Sequence, residues 1–131
     1  MNKLFAFCIA LLLATGAGAQ TYPSKPIKLI IPFPAGGATD VLGRTLGQKL
    51  SGVLGQPVIV ENKPGAGGAI GTDVAAKSVA DGYTLLLATN STHVIGPLLN
   101  PKTPYHPQND FTPIVHLANV PNLLLVNNDV P

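Results

Sequence analysis

The chain has 131 residues, of which 46% are hydrophobic and 11% are charged, and its formal net charge is +2. So small a charge excludes the basic surface that binds nucleic acids or anionic membranes. A single cysteine excludes a disulfide framework and a cysteine-based metal site. We therefore expect no nucleic-acid partner, no metal and no cofactor.

The first nineteen residues have the pattern of a cleavable signal peptide. Lys3 precedes an apolar run from Leu4 to Ala14, which is shorter than the roughly 20 residues that a membrane-spanning helix needs. Ala17-Gly18-Ala19 matches the small-residue pattern before a cleavage site. Cleavage before Gln20 leaves 112 residues, removes Cys8 and lowers the net charge to +1. We therefore expect a mature chain that is not inserted in a membrane and forms one small domain.

The first predicted unit of the mature chain is a strand, a glycine loop and a helix. Ile27 to Pro32 is a short β-branched run that is typical of a strand buried on both faces. The loop 33–38 follows, Thr39 is the predicted N-cap, and Asp40 suits the first helical turn. Gly55 is predicted to end this helix. Its inward stripe, at spacings of four, four and three, consists of Leu42, Leu46, Leu50 and Val53.

The same order then repeats twice. Val58 to Val60 predicts a second buried strand, followed by the glycine loop 62–68 and a helix from about Ala69 to Ala80. Tyr83 to Ala88 predicts a third strand, and a short helix is predicted from Thr92 to Leu99. The inward positions of the second helix are predicted to be Ile70, Val74 and Ala75.

Two further strands are predicted near the end of the chain, from Phe111 to Val120 and from Asn122 to Asn127. Alternating strands and helices with short loops indicate an α/β fold with a parallel sheet. Right-handed crossovers would bring the strand-to-helix loops to one edge of that sheet. Open α/β sheets bind ligands at this edge.

The loops after the first two predicted strands share a pattern, Ala35-Gly36-Gly37-Ala38 and Ala66-Gly67-Gly68-Ala69. Glycine allows a positive φ and a close approach of the backbone to a ligand. Free N–H groups at the start of a helix favour an anion such as a carboxylate or a phosphate. An alternative is that each loop is only a turn. The predicted backbone donors are Gly36, Gly37, Gly67 and Gly68.

Side chains near these loops have structural alternatives as well. Phe33 can form a pocket wall or pack against the first helix. Asp40 can accept a hydrogen bond from a ligand or complement the helix dipole. His93 can contact a ligand or serve as a capping or surface residue.

We predict no catalytic residues, because the mature chain has no thiol and no Gly-x-Ser-x-Gly motif. A small α/β enzyme half-domain that binds a nucleotide or phosphate through the same loops remains an alternative. The dinucleotide-binding motif Gly-x-Gly-x-x-Gly, if it began at Gly65, would need a third glycine at position 70. The residue there is Ile70, which argues against a dinucleotide. A non-functional remnant with an exposed sheet edge is the other alternative.

Several segments together resemble the Bug family, the extracytoplasmic solute receptors of tripartite tricarboxylate transporters. The resemblance extends from the signal peptide to the last residue, and its order and spacing make it more specific than one glycine loop. The segments that carry it are Pro32–Asp40, Glu61–Gly68, Asp81–Leu86, Pro104-Tyr105, Asp110–Ile114 and Asn122–Val126.

The resemblance implies a type II periplasmic binding protein whose two α/β lobes close on a small organic acid. It implies a receptor without catalytic activity that passes its ligand to membrane permease subunits. In such receptors the two glycine loops present backbone amides to a carboxylate, and residues 89–93 add polar contacts. The ligand-binding residues expected on this basis are Phe33, Ala35, Gly36, Gly37, Thr39, Asp40, Gly65, Ala66, Gly67, Gly68, Thr89, Asn90, Ser91 and His93.

The resemblance also divides the chain. Residues 1–19 form the signal peptide, 20–120 the N-terminal segment of the first α/β lobe, and 121–131 the start of a hinge crossover to a second lobe that this sequence lacks. We therefore expect an incomplete lobe and a truncated periplasmic receptor. Because one wall of the cleft would be missing, we expect the chain alone to bind its ligand weakly or not at all.

Overall fold

A three-stranded parallel sheet organises the residues that the computed structural model describes, which are 21–121 and 124–129. The predicted signal peptide, residues 1–19, lies outside the described residues. The strands are β1 (Ile27–Ile31), β2 (Val58–Asn62) and β3 (Thr84–Leu86), and they lie in the order β2-β1-β3. β1 is central, and four of its five side chains are buried. The three strands predicted between residues 27 and 88 are therefore confirmed. The predicted burial of the second strand is wrong, since β2 lies at an edge of the described sheet, has no fully buried side chain and leaves Ile59 52% exposed.

Two helices connect the strands. The helix α1 (Ala38–Leu54) joins β1 to β2, and α2 (Ala69–Ala76) joins β2 to β3. Because β2 and β3 lie on opposite sides of β1, the two right-handed crossovers run in opposite directions and place α1 and α2 on opposite faces of the sheet. The alternation of strands and helices predicted from the sequence is confirmed.

The helix α1 contacts the sheet through glycines rather than through the whole predicted stripe. Gly43 and Gly47 are buried, and a β-carbon at residue 43 would lie 2.4 Å from the Ile31 Cδ1 atom. Leu46 packs against the core formed by Leu29, Ile31 and Leu87. The prediction for Val53 is wrong, since it is 83% exposed. Because these glycines have no side chain, the axis of α1 can lie close to the sheet. The predicted leucine stripe therefore lies to one side of the surface where helix and sheet meet.

The ends of α1 match the sequence only in part. The helix ends as predicted at Gly55, which has the left-handed φ of 67°. The N-cap prediction is wrong. Gly37 occupies that position without a side-chain cap, and Thr39 lies inside the helix.

The helix α2 is shorter than predicted and turns a different face inward. It ends at Ala76 instead of Ala80. Its buried residues are Gly71 and Thr72, whereas Ile70 is 53% and Val74 41% exposed. The predicted inward positions at Ile70 and Val74 are therefore wrong. The physical reason is that residue 71 lies against backbone, since a β-carbon there would be 2.5 Å from the carbonyl oxygen of Lys63.

A helical segment follows β3. It begins as one π-helical stretch, Ser91–Ile95, and continues as the short helix α3 (Gly96–Leu99). The predicted helix from Thr92 to Leu99 is confirmed despite its Gly-Pro pair, because Pro97 lies in the first turn of α3, where a missing N–H is tolerated.

The two strands predicted at the end of the chain are wrong for the residues that the structure describes. Residues 111–121 and 124–127 contain no strand, and residues 112–121 are exposed. Asn122 and Leu123 lie outside the described residues. A strand needs a neighbour to accept and donate its backbone hydrogen bonds. Within the described ranges no strand lies beside residues 111–121. Their apolar side chains therefore stay exposed, as Ile114 does at 78%.

Among the helices formed by residues 21–121 and 124–129, none is long and apolar enough to cross a membrane.

Candidate functional site

Three loops leave the carboxyl ends of the strands and meet at one edge of the sheet. We call residues 33–37 the first rim loop, 63–68 the second and 87–90 the third. Gly68 of the second loop lies between the first loop and the helical segment that follows the third, since a β-carbon there would be 3.3 Å from Phe33 Cζ and 2.6 Å from Thr92 Cγ2. The first and third loops flank the position where the strand order reverses. Such positions are where open α/β sheets bind ligands.

The first rim loop is fastened by the buried carboxylate of Asp40. Its Oδ2 atom accepts hydrogen bonds from the Gly36 N–H and from Arg44 Nε, both at 2.9 Å. Its Oδ1 atom accepts a hydrogen bond from Asn62 Nδ2 at 2.8 Å. These bonds, that from Arg44 first, lower the pKa of Asp40 to about 2. Asp40 is only 3% exposed, so its charge acts within this network and not at the open edge.

Asn62 connects the end of β2 with the first rim loop and with α1. It is the last residue of β2, and its Nδ2 atom also donates to the carbonyl oxygen of Phe33 at 3.1 Å. Its Oδ1 atom accepts from Arg44 Nη2 at 2.9 Å. Neither Asn62 nor Arg44 was predicted from the sequence to belong to the site. The spacing of four between Asp40 and Arg44 is a readable signal for an ion pair on a helix. Nothing in the local pattern marks Asn62 as their partner.

The four predicted backbone donors divide into two pairs. The Gly36 N–H donates to Asp40 and the Gly68 N–H donates to the Gly65 carbonyl at 2.9 Å. Among the described residues, the N–H groups of Gly37 and Gly67 donate no hydrogen bond to a backbone carbonyl or a side chain. Gly37 and Gly67 are both exposed, and Gly37 precedes the 17-residue helix α1, whose dipole favours an anion at this end.

The third rim loop is held by Thr92. This residue is 1% exposed, and its Oγ1 atom accepts from the Thr89 N–H at 3.1 Å. The same atom lies 3.0 Å from the Thr89 carbonyl oxygen and 3.0 Å from His93 Nδ1. The Thr89 hydroxyl oxygen is buried and has no partner within the described part of the chain. Asn90 and Ser91 are exposed beside it.

His93 faces aromatic side chains more than it faces the rim. Its ring centroid lies 4.8 Å from that of Phe111 and 6.2 Å from that of Tyr105. The Tyr105 hydroxyl donates to the Thr92 carbonyl oxygen at 2.6 Å. Burial lowers the pKa of His93 below its ordinary value of 6.5. The His93 ring is therefore neutral when it packs in this cluster. Through its contact with Thr92 Oγ1 it supports the third rim loop.

The remaining predicted residues lie on the loops or in the adjoining core. Phe33 is half-buried and packs against the core below the sheet edge. Exposed or half-buried positions on the first and second loops and at the start of α1 are Ala35, Thr39, Gly65 and Ala66. The structure thus places the predicted loop residues at one edge, with the Asp40 carboxylate turned into the loop anchor and the His93 ring turned towards Phe111 and Tyr105.

The cations closest along the chain to the rim loops are paired. Arg44 pairs with Asp40, and Lys63 Nζ lies 3.6 Å from Glu61 Oε2. Within residues 21–121 and 124–129, no three His, Cys, Asp or Glu side chains converge on a metal position. An anion at this edge would therefore meet backbone N–H groups and neutral side chains.

Residues 42–131 match the family model described as tripartite tricarboxylate transporter family receptor. Protein BugT of Bordetella pertussis is similar to this chain, with 49% identity over 116 residues, which cover 88% of the chain and 36% of BugT. The chain therefore spans little more than a third of the length of this relative.

Solved structures are similar in fold and sequence. One is MatC from Rhodopseudomonas palustris with bound malate, with a TM-score of 0.67 and 37% identity over 70% of this chain and 31% of that one. Another is an R. palustris protein with adipate, with a TM-score of 0.64 and 34% identity over 66% of this chain and 29% of that one.

Proposed function

This chain belongs to the tripartite tricarboxylate transporter receptor family, and we propose that it captures a small carboxylate-bearing ligand in the periplasm for such a transporter. Family members are periplasmic receptors, and the described residues form an incomplete parallel-sheet lobe of the type II periplasmic binding protein fold. The observation that carries the proposal is that the three rim loops leave the same edge of the parallel sheet, with Gly68 of the second loop against Phe33 of the first and against Thr92, which holds the third. The ligand would pass from this receptor to membrane permease subunits.

The proposed ligand contacts are the exposed donors of the rim. The N–H groups of Gly37 and Gly67 would bind a carboxylate, aided by the dipole of α1. Exposed polar side chains after β3 would add hydrogen bonds, from Asn90 and Ser91, whereas the hydroxyl of Thr89 is buried and out of reach of a ligand. The two similar structures with malate and adipate hold ligands of this class, which supports a carboxylate over a nucleotide.

We propose no catalytic activity. The arrangement most like a nucleophile and its base is the Thr92 hydroxyl, 3.0 Å from His93 Nδ1. Thr92 is only 1% exposed and is bonded to the backbone of Thr89, so a substrate could not reach its oxygen. This geometry supports a binding role for the rim.

Amide-resolved NMR titration of the purified chain with malate and adipate tests the proposal. We expect weak, saturable changes at the amide resonances of Gly37, Gly67 and Asn90, because the chain spans about a third of BugT and the rim is open to solvent. Adipamide, which has the same length as adipate and no charge, is the control and should change them far less. No change with either acid would contradict the proposal, and a stronger response to a nucleotide would favour the alternative enzyme half-domain.

A further inference from the structure

We propose that Asn62 and Asp40 are positioning residues, which hold the first rim loop so that the N–H groups of Gly37 and Gly67 address one carboxylate. This inference rests on the proposed function. It differs from the sequence-based expectation for Asp40, which placed its carboxylate in contact with the ligand. Neither side chain would touch the ligand, and each would act through the backbone of the loop.

The first rim loop is held at two points by side chains from outside it. Asn62 Nδ2 donates to the Phe33 carbonyl oxygen at the start of the loop, and Asp40 Oδ2 accepts the Gly36 N–H near its end. Residues 34–37 are exposed, and a β-carbon at Gly36 would find no neighbour within 4 Å. The loop therefore has little packing of its own, and these two hydrogen bonds restrain its shape.

The same network couples the first loop to the second. Asn62 ends β2, and the next residue, Lys63, begins the second rim loop, with its N–H bonded to the Ile31 carbonyl oxygen at 2.8 Å. The Asn62 side chain thus ties the first loop to the strand from which the second loop departs. A restrained pair of loops binds more tightly, because less conformational entropy is lost when the ligand orders them.

Arg44 completes the network without reaching the rim. It donates to Asp40 Oδ2 from Nε and to Asn62 Oδ1 from Nη2. The guanidinium compensates the buried carboxylate and orients the Asn62 carboxamide, so that its Nδ2 atom faces both Phe33 and Asp40. Arg44 therefore supports the two positioning residues.

The test compares malate binding by the whole chain and by two variants, Asn62→Ala and Asp40→Asn. We expect each variant to bind malate about tenfold more weakly, as for the loss of one hydrogen bond, and to shift the Gly37 amide resonance before any ligand is added. The matched control is Asp81→Asn, which removes the 2.9 Å ion pair with Lys25 at the opposite edge of the sheet and keeps an oxygen that can accept the Tyr83 N–H. This control should bind malate as the unchanged chain does, at a temperature where melting curves show all proteins folded.

The outcomes separate the two proposals. If the unchanged chain does not bind malate, the proposed function and this inference both fail. If it binds, and both variants bind as tightly, only the positioning role fails. If the variants do not fold, the unchanged chain decides the matter. Its Gly37 amide resonance should titrate with the same midpoint as the Asp40 carboxyl carbon, and an unchanged Gly37 resonance would overturn the inference.

Discussion

Gly68 lies so close to Thr92 that a β-carbon at residue 68 would stand 2.6 Å from the Thr92 Cγ2 atom. Gly68 also has a φ of +96°, which other residues rarely adopt. Both conditions exclude a side chain at the point where the second rim loop contacts the segment that supports the third. Residue 68 is therefore where the assembly of the rim can be tested directly.

We expect Gly68→Ala to destabilise the fold by about 1–3 kcal/mol through overpacking and to weaken malate binding. The matched control is Gly67→Ala. Gly67 also has a positive φ, of 64°, but a β-carbon there would meet nothing within 4 Å, so only a backbone cost of about 1 kcal/mol is expected. Urea unfolding measures both. An equal loss of unfolding free energy in the two variants would contradict the close contact between Gly68 and Thr92.

The glycines of α1 allow a second paired test. Gly43 faces the Ile31 side chain, with a β-carbon position 2.4 Å from Cδ1, whereas the β-carbon position of Gly52 is open. We expect Gly43→Ala to destabilise the fold by about 1–3 kcal/mol. We expect Gly52→Ala to stabilise it by about 0.5–1 kcal/mol, because alanine loses less backbone entropy in a helix. Thermal melting of both variants is the measurement, and a stable Gly43→Ala chain would refute the close approach of helix and sheet.

Local sequence rules predicted the sheet and the rim well. The three strands, the burial of β1, the end of α1 at Gly55 and the meeting of the loops at one edge all follow from short-range patterns and from the handedness of crossovers. These features depend on residues adjacent in sequence or on topology alone. The sequence is therefore enough to predict which loops share this edge of the sheet.

The features that failed depend on distant partners. The inward faces of α1 and α2 are set by glycines that allow close contact with Ile31 and Lys63, which a hydrophobic stripe does not reveal. The network around Asp40 joins residues as far apart as Phe33 and Asn62. Residues 111–121 have a strand-like pattern but lack a strand beside them in the described structure. Contacts of this kind require coordinates.

Acid should destabilise the fold through Asp40. Its pKa is about 2 in the folded chain against an ordinary 3.8, so the unfolded chain binds the proton more readily. The network therefore contributes stability above about pH 4 and loses it as the pH falls towards 2. Urea unfolding between pH 2 and pH 5 should show this slope, and Asp40→Asn should flatten it. Part of the slope should remain, because the hydrogen bond from Lys25 also lowers the pKa of Asp81. An unchanged slope in Asp40→Asn would contradict the network.

A second loss of stability is expected in mild acid, and it comes from His93. Burial against Phe111 and Tyr105 lowers the pKa of His93 below 6.5, so the unfolded chain binds this proton first. Stability should therefore fall as the pH drops below about 6.5. The variant His93→Phe keeps an aromatic ring in the cluster but cannot take up a proton, so its stability should not follow this step. His116→Gln, at an exposed histidine, is the control and should keep the step. If His93→Phe retains the full pH dependence, protonation of His93 is not the cause of the loss of stability, and the prediction is wrong.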